Sequence, residues 1–289
     1  MSSTAPPFSR SPESEVSLVE RAKAGDRDAL TELVSENKRW IYNIALRMLW
    51  DPTEAEDATQ DILLKMLSRL SSFEHRSRLR TWLYRLTVNH LLNMKRGSME
   101  QPMSFDDYAA GLESASDADL TEFPESERAL LVEEAKIGCM TGMLLCLSRE
   151  QRIAYVLGSM FALDHKLCAE LLGIEAAAFR KRLSRARADL HHFMQGKCGL
   201  LEPANPCRCK RKTKAFIERG FIDPSDLKFK RGVTEEIRDV AHREASDVFR
   251  AVTEDYPRLF RQHPFAKGPE LRGLLSGILD GSALAGSID

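Results

Sequence analysis

The chain has 289 residues, 43% of them hydrophobic and 29% charged, and its formal net charge at pH 7 is −1. This length is more typical of two domains than of one. No apolar run approaches the roughly 18 residues that a membrane span requires, and the N-terminus lacks the basic and apolar regions of a secretory signal. The sequence therefore predicts a cytoplasmic protein with no membrane span.

A polar N-terminal segment precedes the first predicted domain. Residues 1–15 are rich in Ser and Pro, and this composition predicts disorder. Over residues 16–97 the apolar positions recur at helical spacing, which predicts a helical domain. Its first helix is expected to begin after Ser17, as N-cap, and to end at Gly25.

Three more helices are predicted in this domain. The second covers residues 28–49 and has one apolar stripe. The third begins at Pro52 and has acidic residues near its start, where they favour the helix dipole. The fourth, within residues 79–96, carries several basic side chains.

The rest of the chain predicts an acidic linker, a second helical domain and an extension. Residues 98–124 lack clear periodicity and are acidic, which predicts an interdomain linker. Residues 125–195 predict more helices, and residues 196–289 combine a Cys-rich basic segment with an amphipathic helix at 234–254. The predicted fold class is all-α: two helical domains joined by an acidic linker, followed by a helical C-terminal extension.

Two helices joined by a short turn lie within residues 165–187. Gly173 stands at the bend, and residues 180–187 contain five basic side chains. This pattern is typical of a helix-turn-helix whose second helix enters the DNA major groove. A solvated basic face on an ordinary helical hairpin is the alternative.

The order of motifs resembles the extracytoplasmic-function branch of bacterial RNA polymerase sigma factors. These motifs are "AEDATQD", "LRTWLYRLTVNHLLNMKR", the acidic linker, "LSREQRIAYVL" and "AELLGIEAAAFRKRLSRARADL". The resemblance covers about residues 16–192. It implies a non-enzymatic promoter-specificity subunit whose partners are core RNA polymerase and promoter DNA. The resemblance also makes an anti-sigma factor a candidate partner, and the sequence alone does not show whether one exists.

The resemblance also implies site residues. The acidic helix would bind the polymerase clamp through Asp51, Glu54, Glu56, Asp57, Gln60 and Asp61; the alternative is an acid-capped helix start. The melted minus-ten strand would meet Arg76, Arg78, Arg80, Arg85, Asn89, His90, Lys95 and Arg96. A stacking role for Trp82 or Tyr84 competes with ordinary core packing. The linker would thread toward the polymerase active-site cleft, unless it is a plain tether.

The second helix of the helix-turn-helix would read the minus-35 element. The residues expected there are Ala178, Arg180, Lys181, Arg182, Arg185 and Arg187. Family members usually have Gly-Thr where this chain has Ala177 and Ala178. The missing hydroxyl cap costs on the order of 1 kcal/mol and removes one phosphate contact, so the promoter sequence is not predicted.

The extension carries a cysteine cluster with three open interpretations. Cys198, Cys207 and Cys209 with His191 or His192 could form a Cys3His zinc site, have a redox or disulfide role, or form a structural Cys/Pro turn. The C-x-C spacing does not choose among them. The basic run at 208–214 is expected to contact DNA, to fold onto the acidic linker, or to be solvated.

Two other classes of function compete with the sigma factor. A stand-alone helix-turn-helix regulator does not require the first domain, whose motifs therefore favour the sigma factor. An enzyme is disfavoured because the chain lacks H-E-x-x-H, G-x-S-x-G and P-loop motifs.

Overall fold

The computed structural model describes residues 10–95, 103–225 and 227 of the chain. These residues form two compact units that divide between Lys95 and Arg96. Every regular element in the described ranges is helical, apart from one isolated backbone bridge between Cys198 and Cys207. The predicted all-α fold is confirmed.

The first unit contains four helices. They are α1 (Pro12–Lys23), α2 (Arg27–Leu49), α3 (Pro52–Arg69) and α4 (Leu79–Asn93), with a short 3-10 turn, Leu70–Ser72, after α3. The carboxylate of Asp26 accepts hydrogen bonds from the amides of Asp28 and Ala29, and thereby caps α2. Between α2 and α3, Trp50 adopts the left-handed conformation, with φ of 59°, and ends α2.

Helix α1 begins several residues earlier than the sequence predicts. Ser11, not Ser17, is the N-cap, because its hydroxyl accepts the amide of Ser14 while Pro12 opens the helix. The backbone amide of Leu79 donates to the carboxylate of Glu15 at 3.1 Å, which ties this turn to the start of α4. Residues 12–15 are thus helical rather than disordered, and residues 1–9 lie outside the described part.

The core of the first unit lies among α2, α3 and α4. Its largest fully buried apolar side chains are Leu33, Ile41, Ile44, Met48, Leu49, Ile62, Leu63, Met66, Leu83 and Leu91. One cation lies among them: Arg47 is fully buried, and its Nη1 donates to the carbonyl and side-chain oxygens of Asn43. Burial lowers the pKa of this guanidinium well below its ordinary value.

The second unit contains six helices in its described part. They are α5 (Phe105–Glu113), α6 (Glu125–Gly142), α7 (Arg149–Tyr155), α8 (His165–Leu171), α9 (Ala176–Lys197) and α10 (Cys209–Glu218). A 3-10 turn, Met143–Cys146, precedes α7, and a π turn, Val156–Met160, follows it. The buried Arg152 donates to the carbonyls of Leu144, Leu145 and Leu147, so these carbonyls at the 3-10 turn are satisfied.

The segment predicted as a linker is folded against the second unit. Its helix α5 begins with a capping box formed by Ser104 and Asp107. The rings of Phe105 and Tyr108 pack on Phe193 of α9, with centroids 5.2 and 5.7 Å away. Sequence periodicity missed this helix because α5 buries only a narrow apolar stripe.

Helix α10 holds the end of the acidic segment. Lys212 is buried, and its Nζ donates to the carbonyl oxygen of Ala115 and lies 3.0 Å from Asp117. Lys214 pairs with Glu122 at 3.1 Å, and the amide of Ala118 donates to the carbonyl of Arg211 at 2.9 Å. Of the three alternatives for the basic run, the structure favours folding onto the acidic segment.

An apolar cluster lies beneath these polar contacts. Leu120, Leu131, Ala135 and Ile222 are buried together, so residues from the acidic segment, α6 and the segment after α10 share one core. The predicted helix at 234–254 lies outside the described residues. Within the described part, no helix is both long and apolar enough to span a bilayer.

We predict that Lys212→Ala lowers the free energy of unfolding by about 1–3 kcal/mol, because the buried carbonyl of Ala115 loses its donor. Urea denaturation measures this loss, and hydrogen exchange at the amide of Ala118 should become faster. The matched control is Lys210→Ala, whose side chain is exposed on the same helix. Equal effects from both variants would contradict the assigned role of Lys212.

Candidate polymerase and nucleic-acid interfaces

The acidic residues of α3 divide into a cap and an exposed face. Asp51 caps the helix, because its Oδ1 accepts the amide of Glu54 at 2.9 Å. Asp57 and Asp61 are exposed, and the remaining predicted residues, Glu54, Glu56 and Gln60, are half-buried. The capping interpretation therefore holds for Asp51, while Asp57 and Asp61 form the accessible part of the acidic surface.

The negative potential at the start of α3 reaches a neighbouring side chain. The pKa of Tyr42 is raised to about 12, first by burial and then by the charges of Glu56 and Asp51. The carboxylates of Glu56 and Asp51 thus place negative charge at this start of the helix, which suits a cationic partner surface.

A shallow cleft lies between α3 and α4. Its lining residues are Lys65, Arg69, Leu86, Asn89, His90, Asn93 and Met94. Asn89 and His90 are among the residues predicted for the minus-ten strand, whereas Lys65, Arg69 and Asn93 were missed. The available signal was their spacing: Lys65 and Arg69, like Asn89 and Asn93, are four residues apart and share a helix face.

The imidazole of His90 in this cleft contacts charged groups of α3. Lys65 Nζ donates to His90 Nδ1 at 2.7 Å, and Asp61 Oδ2 lies 3.8 Å from His90 Nε2. The pKa of His90 is lowered by burial and then by Lys65, with Asp61 opposing. Burial and the charge of Lys65 therefore favour the neutral form of the ring.

Several predicted minus-ten cations make contacts inside the protein. Arg78 donates to the carbonyl of Arg10 at 2.7 Å and pairs with Glu15 at 3.3 Å. The guanidinium of Arg80 lies 5.6 Å from the ring centroid of Trp40 and 5.7 Å from that of Tyr84. These contacts fix the position of α4. They also leave fewer donor groups and less surface of Arg78 and Arg80 available to a ligand.

The other predicted minus-ten residues differ in exposure. Arg76 is exposed and pairs with Glu74 at 2.6 Å, and Arg85 and Lys95 are also exposed. Arg96 lies outside the described residues. Tyr84 is buried with its centroid 4.5 Å from Trp40, which supports core packing over a stacking role.

Helices α8 and α9 have the predicted helix-turn-helix order. The carboxylate of Asp164 caps α8, and Gly173 in the turn has φ of 62°, a conformation that favours glycine. Glu175, and not Ala177 or Ala178, is the N-cap of α9, and its side chain makes no capping hydrogen bond.

Helix α9 packs closely on the π turn that follows α7. Phe179, Leu183 and Ala186 are buried on the inner face of α9. A Cβ atom added to Gly158 would lie 2.8 Å from the Leu183 side chain and 3.0 Å from the Phe179 ring, so a larger residue would require these side chains to move. The close packing fixes which face of α9 remains exposed.

The outward face of α9 carries most of the predicted minus-35 residues. Ala178, Arg180, Lys181 and Arg185 are exposed, and Arg182 is half-buried. Arg187 differs, because its Nε donates to Ser159 Oγ at 2.9 Å and thereby joins α9 to the π turn. Arg187 is thus a packing residue as well as a predicted phosphate contact.

The cysteine cluster has a different membership from the one predicted. Cys139, Cys198, Cys207 and Cys209 are close enough for their charges to raise the pKa of neighbouring thiols, although burial is the larger cause for each. The described residues include no group of three or more His, Cys, Asp or Glu side chains placed to hold a metal ion. The predicted Cys3His site with His191 is therefore not supported, and the residues do not fit zinc.

Comparison with known proteins follows the same division of the chain. Residues 33–99 match the family profile of Sigma-70 region 2, and residues 137–190 match that of Sigma-70 region 4. Over these two stretches the chain is therefore similar to Sigma-70 sigma factors. The first match covers α2 to α4, and the second ends within α9.

Curated relatives agree with this assignment. RNA polymerase sigma factor NccH of Alcaligenes xylosoxydans xylosoxydans is 29% identical over 64% of this chain and 96% of that protein. ECF RNA polymerase sigma factor SigW of Bacillus subtilis is 28% identical over 60% of this chain and 92% of that protein. A solved structure of CnrH with the cytosolic domain of CnrY shares 19% identity and a TM-score of 0.45, covering 63% of this chain and 97% of CnrH.

We predict that Arg187→Ala lowers the free energy of unfolding by about 1 kcal/mol, because Ser159 loses its partner at the junction of α9 and the π turn. Arg185→Ala, two residues earlier and exposed, should leave it unchanged. Thermal or urea denaturation compares the two variants, and an Arg187→Ala protein as stable as the wild type would show that the hydrogen bond contributes nothing.

Proposed function

We propose that the protein is a sigma factor that binds core RNA polymerase and directs initiation at specific promoters. The observation that carries the proposal is the presence of both Sigma-70 regions, in family order, on one chain. The protein acts as a binding subunit without catalysis of its own, in the cytoplasm where its polymerase works. The sigma factor relatives make an anti-sigma factor a candidate partner.

A stand-alone helix-turn-helix regulator is the weaker alternative. Such a regulator needs α8 and α9 but has no use for the first unit, with its acidic α3 and its cleft. The match of residues 33–99 to region 2 therefore favours the sigma factor.

The exposed acidic face of α3 is the proposed polymerase contact. Asp57 and Asp61 lie one helical turn apart on the same face and are exposed. Two carboxylates on a rigid helix attract a basic surface and fix its register.

The cleft between α3 and α4 is the proposed position for a base of the melted minus-ten strand. Lys65 and Arg69 supply positive charge for a phosphate at its edge, while Asn89 and Asn93 offer both donors and acceptors. Leu86 and Met94 give an apolar wall for a base face. Positive charge for the phosphate, hydrogen-bonding groups for the base edge and an apolar wall for the base face are together what the binding of a single-stranded nucleotide requires.

Helix α9 is the proposed reader of the minus-35 element. Its exposed Arg180, Lys181 and Arg185 suit phosphates and guanine edges. Arg187, which holds Ser159, is better placed to orient the helix than to read a base.

In this chain the acidic segment is bound by basic side chains of its own protein. Glu113 pairs with Lys197, Asp117 with Lys212 and Glu122 with Lys214. Threading of this segment toward the polymerase active site therefore requires that α10 release it first.

Run-off transcription tests the function. The purified chain is added to core polymerase on a library of genomic promoter fragments, and we expect transcripts that core alone does not make. Co-elution with core on gel filtration is the second measurement. If the chain neither co-elutes with core nor supports a specific transcript, the proposal is wrong.

We predict that Asp57→Lys with Asp61→Lys weakens binding to core polymerase by about tenfold or more, which corresponds to roughly 1.4 kcal/mol of binding free energy. Helical content should stay the same, since both side chains are exposed. Fluorescence anisotropy with labelled core measures the affinity. Asp28→Lys, a reversal at the start of α2, is the control, and an equal weakening in that variant would point to net charge alone.

We predict that Arg182→Ala with Arg185→Ala weakens binding to the upstream promoter element by about 1–3 kcal/mol for each base interaction removed. Affinity for core polymerase should not change, because the proposed clamp contact is on α3. Footprinting of the holoenzyme measures the effect, with Lys210→Ala as the control. An unchanged footprint over the upstream element would refute the position of α9 in the groove.

A further inference from the structure

Two cysteines are brought together where α9 ends and α10 begins. Cys198 is the C-cap of α9, and Cys207 lies two residues before α10. Their backbones pair as an isolated parallel bridge. Adjacent paired strands lie about 4.8 Å apart, which falls within the Cα separation of roughly 4.4–6.8 Å that a disulfide requires.

The loop between these cysteines is closed by its own hydrogen bonds. The side-chain amide of Asn205 donates to the carbonyls of Gln195, at 2.8 Å, and Cys198, at 3.2 Å. Arg208 donates to the carbonyl of Pro203 at 2.6 Å and to that of Cys207 at 3.0 Å. The approach of Cys198 and Cys207 is therefore built into the loop.

Gly199 shows how close the two ends of the loop are. A Cβ atom at this position would lie 2.2 Å from the carbonyl oxygen of Cys207 and 1.9 Å from Nη1 of Arg208. No other residue fits there without a shift of the backbone. Glycine at position 199 thus leaves the space that the pairing of the Cys198 and Cys207 backbones requires.

The chemical surroundings allow the two thiols to react. Both residues are partly exposed, and all six cysteines are free thiols in this structure. Burial raises the pKa of Cys198 and Cys207, while the guanidinium of Arg208 acts in the opposite direction for both. Because the thiolate is the reactive form, thiols with a raised pKa react slowly. We therefore expect this pair to be oxidised slowly and at high oxidant concentration, and not to act as a rapid redox catalyst.

We propose that Cys198 and Cys207 are a redox pair that forms a reversible intramolecular disulfide under peroxide stress. The two S–H bonds are broken and one S–S bond forms. The two thiols lose two electrons and two protons to the peroxide O–O bond, which is reduced to two water molecules when the peroxide is hydrogen peroxide. Thiol reductants reverse the reaction by disulfide exchange.

The disulfide would act on the contact between α10 and the acidic segment. It would pin the start of α10 to the end of α9, and α10 holds that segment through Lys212 and Lys214. Oxidation therefore strengthens the hold on residues 105–124. This chemistry does not depend on promoter recognition, so its test stands apart from that of the proposed function.

The test uses the full-length reduced chain. After treatment with hydrogen peroxide, the remaining thiols are alkylated and the protein is digested without reductant. We expect two fewer alkylated thiols, a cross-linked peptide that joins Cys198 to Cys207, and reversal of both changes after dithiothreitol. Hydrogen exchange at the Ala118 amide should be slower in the oxidised protein.

Variants separate this pair from its neighbours. Cys198→Ser and Cys207→Ser should each abolish the cross-link, with circular dichroism to verify folding, while Cys146→Ser, at another half-buried thiol, should retain it. A different cysteine pairing in the wild-type chain, or an unchanged thiol count, would overturn the proposal. So would one zinc ion per chain in native mass spectrometry of the untreated protein, because the thiols would then be ligands.

Discussion

The arrangement of the second unit depends on the contacts that the ammonium group of Lys212 makes with the acidic segment. It is buried, donates to the carbonyl of Ala115 and pairs with Asp117. A buried cation is stable only when it is paired and hydrogen-bonded. The acidic segment must therefore contact α10 in the folded unit, because it supplies the partners of Lys212. The same contact brings Leu120 and Ile222 together in the shared apolar cluster.

The net charge of −1 conceals a separation of acidic and basic surfaces that matters for function. Within each unit, intramolecular contacts decide which charges remain for a partner. Arg78, Arg80 and Arg187 each bind a group of the protein itself, whereas Asp57 and Arg185 are exposed. The charges left at the surface are those that polymerase and DNA binding would use.

The segment after the region 4 match is a feature of this chain that the matched relatives do not account for. The matches to NccH and SigW cover nearly all of those proteins but less than two-thirds of this chain. Residues 198–222, which lie beyond the region 4 match, fold onto the linker and bring Cys198 beside Cys207. Release of the linker would be an additional step in initiation, and the thiol pair would make that step sensitive to oxidation.

The sequence by itself determined the all-α class, the four helices of the first unit and the helix-turn-helix, because helical periodicity and end signals such as Pro52 and Gly173 are local. It did not determine the start of α1, since the hydroxyls of Ser11 and Ser17 offer equal caps and the contact between Glu15 and Leu79 is not local. Helix α5, the cleft around His90 and the partnership of Cys139 with the later cysteines were decided only by tertiary structure. In each case the deciding contact joins residues far apart in the chain, and the periodicity of a single segment contains no information about its partner.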